Sequence, residues 1–166
     1  VLGWFQGRME FGARALGNRS ILANPSNPDV VPIINHQIKQ RDFWMPFAGT
    51  LLDESQHRYI KNPTNLVSPH MMTAFETLPA AQANLAAAIH PFDKTMRPQI
   101  LRREDNPAYH ALIRSFEDLT DIGAVLNTSF NLHGEPVVCN PLDAVKTFIE
   151  SGLQNLSLGP YMITKN

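Results

Sequence analysis

The second half of the chain carries two helical patterns whose start signals agree with their apolar spacing. Asn106 followed by Pro107 reads as an N-cap and first helical residue, after which Tyr109, Leu112, Ile113 and Phe116 recur on one face. That face is expected to be buried. Asn140 and Pro141 repeat the device; Asp143 suits the positive first turn, Leu142, Val145, Phe148 and Ile149 form the apolar stripe, and Gly152 suits the stop. Short apolar runs at Ser20 to Ala23, Ala48 to Leu52, Ala124 to Leu126, Pro136 to Val138, Asn155 to Leu158 and Tyr161 to Thr164 have strand length and turn-type flanks. Val30, Ile34 and Ile38 have helical spacing, although Pro32 breaks a helix there unless it falls in the first turn. Pro79 to Ile89 is alanine-rich and favours helix by propensity, without a strong amphipathic stripe. Strands interspersed with helices predict an α/β fold: one domain over residues 1–166, with an open mixed sheet and flanking helices.

Composition narrows this picture. The 166 residues allow one ordinary core, and a hydrophobic share of 43% argues against disorder. A formal net charge of −1 gives no general attraction to nucleic acid or to an anionic membrane, so a positive site must be local. Such a cluster exists, because Arg8, Arg14, Arg19, Lys39 and Arg41 face only Glu10 and Asp29 as acids up to residue 41. The single cysteine, Cys139, excludes an internal disulfide framework, fits a cytoplasmic protein, and follows Val137 and Val138 as a buried structural thiol would. No apolar run approaches the ~20 residues of a spanning helix. Starting at Val1 and running straight into a dense motif, the chain is expected to be a fragment of a longer protein.

The densest chemistry lies in Gly7-Arg8-Met9-Glu10-Phe11-Gly12-Ala13-Arg14-Ala15-Leu16-Gly17-Asn18-Arg19-Ser20. Its glycines allow close backbone approach, and its arginines supply planar forks for phosphate or carboxylate. It contains neither a Walker loop nor Gly-x-Gly-x-x-Gly, so solvated surface arginines beside turn glycines stand as the plain alternative. Lys39 and Arg41 precede Pro46-Phe47-Ala48; in an extended segment the two cations share a face, and in a helix they diverge. Arg97, in Asp93-Lys94-Thr95-Met96-Arg97-Pro98-Gln99, is a further anion fork. Asn127-Thr128-Ser129-Phe130-Asn131 closes an apolar run with hydrogen-bonding groups at a strand end, where α/β sheets commonly hold ligands. A capping turn is the alternative there.

Covalent catalysis by Ser129 has little support, since no Gly-x-Ser-x-Gly elbow is present and nearby His133 has no identifiable orienting acid. The six histidines form no metal signature. His110 lies off its helix stripe and reads as solvated or internally satisfied.

Taken in order, Gly7 to Ser20, Lys39-x-Arg41 with Pro46-Phe47-Ala48, Asp93-x-Thr95-x-Arg97-x-Gln99, and Asn127 to Asn131 with Gly134-Glu135-Pro136 resemble the C-terminal domain of the carbamoyltransferase family of nodulation and antibiotic-tailoring O-carbamoyltransferases. The resemblance spans nearly the whole chain and implies a YrdC-like fold. It further implies that ATP, with Mg²⁺, and carbamoyl phosphate become carbamoyl-adenylate and pyrophosphate here, while a metal-containing N-terminal domain transfers the carbamoyl group to a hydroxyl. The residues it points to are Arg14, Lys39 and Arg97 as charge-stabilising catalytic groups, Arg41 beside them, and Asn127 and Ser129 as hydrogen-bonding partners of the carbamoyl or phosphate oxygens. Arg8 and Arg19 are read as structural.

Two positions depart from the family pattern. Lys94 stands where a glycine is usual, which puts the loop before Arg97 in question, and Pro32 stands where the family runs a helix. Two other functions remain open on these residues: an RNA-binding module, and a nucleotide-binding regulatory domain without chemistry.

Overall fold

The computed structural model describes residues 1–39 and 46–165. Its main sheet has seven strands: β1 (Leu2–Phe5), β2 (Arg19–Ala23), β3 (Ala48–Leu52), β6 (Gln99–Leu101), β7 (Ala124–Ser129), β8 (Asn155–Leu158) and β9 (Tyr161–Thr164). A separate ribbon pairs β4 (Phe75–Glu76) with β5 (Thr95–Met96). Among the described residues four α-helices flank the strands: α1 (Val30–Ile33), α2 (Pro79–Asn84), α3 (Pro107–Thr120) and α4 (Pro141–Glu150). The sheet order is β6-β3-β7-β2-β1-β8-β9, and it is mixed: β3–β6 and β1–β8 are parallel, the other neighbours antiparallel. The expected open α/β architecture is the one observed.

Both faces of the sheet are covered, which explains why its central strands read as continuous apolar runs. Along β2, Ile21 and Ala23 enter a core cluster with Val30, Ile34, Ile38, Ala144 and Phe148, while Leu22 points the other way to Tyr109 and Ile113. The period of two in β7 repeats this, Leu126 joining the first cluster and Val125 the second. A third cluster, containing Leu51, Tyr59, Ile60, Leu85, Met96 and Ile100, fills the space around α2 and the small ribbon.

Both capped helices form where expected. The Asn106 side chain accepts from Tyr109 N–H, and Asn140 with Asp143 makes a reciprocal capping box. Pro32 lies inside the first turn of α1, so the helix survives and continues in π-helical winding from Ile34 to Lys39. Some expectations fail. Leu142 and Ile149 are 80% and 66% exposed, because α4 turns Ala144, Thr147 and Phe148 inward. Pro136 to Val138 forms no strand; Val138 is buried and donates once to the Phe130 carbonyl, which anchors the segment without a ladder. Cys139 is exposed: its N–H donates to Asp143 and its carbonyl accepts from Arg19, which fix the backbone at the start of α4 with the thiol on the surface. The pattern also gave no sign of β1, which hides in the Gly-Trp-Phe stretch, or of β6 behind Pro98.

Candidate functional site

The sheet topology gathers distant segments at one edge. Because β2 and β3 both run antiparallel to β7, the chain entering each of them meets the carboxyl end of β7; β6, parallel to β3, enters at the same edge. There Ala13, Arg14 and Ala15, then Pro46, Phe47 and Ala48, then Arg97, then Asn127, Thr128 and Ser129 line a cleft of about 120 Å³. Arg14, Arg97, Asn127 and Ser129 are thus brought together from separate segments. The backbone of Lys39 ends the π-helical turn, and Arg41 lies outside the described residues. Among the described residues, no acid pairs with Arg14 or Arg97.

The loop bearing Arg14 is held from below. Glu10 Oε1 accepts from the backbone N–H groups of Leu16, Asn18 and Arg19 at 2.8, 2.7 and 3.3 Å, so the loop's own carboxylate fills a nest of donors. Nothing in the spacing of Glu10 had marked it for that role. Gly17 has φ +107°, and a Cβ there would lie 2.0 Å from Tyr109 Cδ1, so the turn needs glycine for both space and conformation. Arg19, 4% exposed, donates from Nη1 to the carbonyls of Gln6 (2.8 Å) and Asn18 (3.0 Å) and from Nη2 to those of Gly7 (3.2 Å) and Cys139 (3.2 Å). It also stacks over Phe5, 3.5 Å from the ring centroid. Arg19 is a structural clamp, whereas Arg8 is exposed.

Under the cleft runs a buried polar chain. Tyr109 Oη donates to Thr50 Oγ1 (2.9 Å), Thr50 donates to Gln99 Oε1 (2.9 Å), and Gln99 Nε2 donates to the Leu16 carbonyl (3.1 Å). Burial pushes the Tyr109 hydroxyl far above its ordinary pKa, so it stays a donor. Asn127 Nδ2 donates to Ala15 O and to Thr50 Oγ1, both at 3.1 Å, which commits both of its protons. Its Oδ1 is buried and has no partner among the described residues. Ser129 Oγ donates to Asn131 Oδ1 (2.7 Å), a neutral amide oxygen unsuited to act as a base.

Lys94 does not spoil the loop before Arg97. It takes φ +58° itself, filling the left-handed position that suits glycine, and its Nζ donates to Pro91 O at 2.7 Å. Asp93 closes the turn by accepting from Thr95 N (2.9 Å) and Oγ1 (2.8 Å), bonds that hold its carboxyl below the usual range. A second hollow of about 190 Å³, lined by Ala74, Ala88, His90 and Thr95, shares Pro46, Phe47, Ala48 and Arg97 with the cleft. A much larger hollow of about 760 Å³ opens where β3 and β6 leave the sheet. The cations in its lining are already paired, Arg102 with Asp105 at 2.8 Å and Lys61 with Glu76 at 2.6 Å.

Among the described residues the cleft lining holds two guanidiniums and no carboxylate, so these residues suit phosphate oxygens and offer magnesium no carboxylate ligand. Among the described residues, no three His, Cys, Asp or Glu side chains converge as a metal group, and no helix is long and apolar enough to cross a membrane.

Residues 1–165 match the family described as carbamoyltransferase C-terminus. The chain belongs to that family. It is 39% identical, over 99% of its length, to the nodulation protein NolO of Bradyrhizobium diazoefficiens, and 31% identical, over 96%, to a 3′-hydroxymethylcephem-O-carbamoyltransferase of Amycolatopsis lactamdurans. An uncharacterised protein of Methanocaldococcus jannaschii is 43% identical over 96% of the chain. These alignments cover 30%, 29% and 30% of the relatives' lengths, so this family domain corresponds to less than a third of each of them.

Proposed function

We propose that this domain binds ATP and carbamoyl phosphate at the β7 edge, forms carbamoyl-adenylate, and works in the cytoplasm with an N-terminal domain that transfers the carbamoyl group to a hydroxyl. Water cleaves carbamoyl phosphate to carbamate and inorganic phosphate. A carbamate oxygen then attacks the α-phosphorus of ATP, the bond to the bridging oxygen of the β-phosphate breaks, and pyrophosphate leaves with the electron pair. The observation that carries this reading is the convergence of Arg14 and Arg97, both without acidic partners among the described residues, on one small cleft. Two like unit charges about 4 Å apart repel by roughly 4 kcal/mol near a protein surface, so fixed guanidiniums at comparable range offset a repulsion of that order. Lys39 and Arg41 belong to this cationic set on the family resemblance. Ser129 orients ligand oxygens. The YrdC-like character, with Mg²⁺ arriving on the nucleotide, is part of the same proposal.

The 120 Å³ cleft lies below the roughly 300 Å³ typical of ligand pockets, so the nucleotide must extend into the neighbouring hollow across Arg97. Incubation with ATP, carbamoyl phosphate and Mg²⁺, followed by mass spectrometry, should show carbamoyl-adenylate with pyrophosphate. Nucleotide binding with neither product would point to a regulatory domain, and salt-sensitive RNA binding without ATP binding would overturn the assignment altogether.

A further inference from the structure

Cover on the α3 face of the main sheet stops short of its β9 end. Helix α3 packs on β3 and β7, whereas α4 packs on β1 and β8 from the other side. Register shows which residues look toward α3: Leu2 pairs with Leu22, and Trp4, Ser157 and Met162 stand in one row across β1, β8 and β9. Leu22 belongs to the cluster under α3, and Trp4 packs against it. At the far end of that row Met162 is 65% exposed. Leu2, Leu22, Leu112, Phe116, Val125 and Met162 line a hollow of about 420 Å³ there, and its described lining contains no charged residue. Along one side of α3, Leu112, Phe116 and Leu119 recur at i, i+4 and i+7, and Leu119 is 85% exposed. The strands β1 and β8 form a parallel pair, an arrangement ordinarily buried on both faces.

The bare strip is one helix wide. Neighbouring strands lie about 4.8 Å apart, so β1 to β9 spans about 10 Å, close to the diameter of a helix with its side chains. Val1 lines the same hollow, so chain reaching β1 from upstream passes beside it. The family is the C-terminal part of proteins of which the alignments cover 29% to 30%, and such proteins supply a long stretch of upstream chain. We propose that this slot is the seat of one amphipathic helix, formed by the stretch of the full-length protein that leads into β1, with its apolar side on Leu2, Met162 and the Leu112, Phe116 and Leu119 side of α3. A segment tethered at β1 acts at an effective concentration of about millimolar, which favours it over a second copy of the chain. The inference concerns how the domain is completed and is independent of the reaction proposed above.

Peroxide oxidation of methionines, read by mass spectrometry, tests this, with Met72, 74% exposed on the loop before β4, as the internal control. In this chain alone Met162 should oxidise at about the rate of Met72. In the full-length protein, and in a version keeping only about 20 residues before β1, enough for an average helix and its connection, Met162 should slow by about tenfold or more while Met72 is unchanged. Equal Met162 rates in all three proteins would overturn the proposal. Protection seen only in the full-length protein would overturn it as well, assigning the face to a more distant domain. Slow oxidation of Met162 in this chain alone, recovering on dilution, would give the face to a second copy instead. Leu119→Lys supplies a second measurement: it should leave the melting temperature of this chain unchanged and lower that of the extended version, and equal effects on both would count against the helix. Carbamoyl-adenylate formation is read separately by pyrophosphate release, so failure here leaves the proposed function standing.

Discussion

Arg14 and Arg19 sit in one motif, yet the structure gives them opposite consequences. Replacing Arg19 by alanine strands the carbonyls of Gln6, Gly7 and Cys139, which accept from the guanidinium at 2.8 to 3.2 Å, and removes a cation stacked 3.5 Å above Phe5. Gly7 and Cys139 are exposed, so water replaces much of what their carbonyls lose; at about 1 kcal/mol for each of three lost bonds, plus about 1–2 kcal/mol for the lost stacking, the total comes to about 3–5 kcal/mol. Against a domain stability of about 5–15 kcal/mol, and a urea slope of about 1–3 kcal/mol/M, the unfolding midpoint should fall by about 1–5 M. Arg14 is exposed and has no acidic partner among the described residues, so Arg14→Ala should change stability by no more than about 0.5 kcal/mol. It should instead weaken carbamoyl phosphate and ATP binding about 10- to 150-fold, the loss expected for one charged hydrogen bond. Urea melts and calorimetry run in parallel on the two variants decide the matter. A wild-type midpoint for Arg19→Ala, or a collapse of the fold in Arg14→Ala, would refute the division between clamp and ligand-facing cation.

Gly17→Ala should destabilise the domain by about 2–5 kcal/mol, because φ +107° and the 2.0 Å approach to Tyr109 add strain to overpacking; a melting temperature near wild type would show that the loop yields easily. Asp143 is held below the ordinary aspartate range by the backbone N–H groups of Asn140 and Cys139, so its contribution is present above about pH 4 and fades as pH falls through its lower folded value. Thermal melts should therefore separate wild type from Asp143→Asn near pH 7 and converge as pH falls below the folded value. Ser129→Ala should slow turnover about three- to tenfold while pyrophosphate release continues. Intact-protein mass spectrometry of quenched wild type should find no carbamoyl adduct, and a stoichiometric adduct on Ser129 would defeat the orienting role.

Local signals were strongest where one short segment contains its own cause. Asn106-Pro107 and Asn140-Pro141 start helices because the cap oxygen and the N–H that donates to it lie three residues apart, and β2 and β3 are legible because burial on both faces leaves uninterrupted apolar runs. The failures depend on long-range packing. Leu142 and Ile149 belong to a stripe by spacing, but Ala144 and Phe148 give α4 a closer fit against the core, and a helix can present only one face. Val138 reads as strand and is buried as a strand would be, yet Phe130 offers it a single carbonyl and no neighbour completes a ladder.

The site was legible as chemistry before it was legible as geometry. Phosphate-type ligands demand fixed cations, so Arg14 and Arg97 stood out, but nothing in either segment says that both reach the end of β7. That follows from antiparallel pairing of β7 with β2 and β3 and parallel entry of β6, choices made by the whole sheet. The same pairing makes Asn127 informative. As a residue type it could have offered a donor or an acceptor to any ligand; in the fold Ala15 and Thr50, from two other segments, consume both of its amide protons and lock it into the wall under the loop. Thr50 braces that wall from beneath, since Tyr109, Gln99 and Asn127 all bond its hydroxyl, so Thr50→Ala should loosen the loop that carries Arg14 even though Thr50 lies outside the cleft lining.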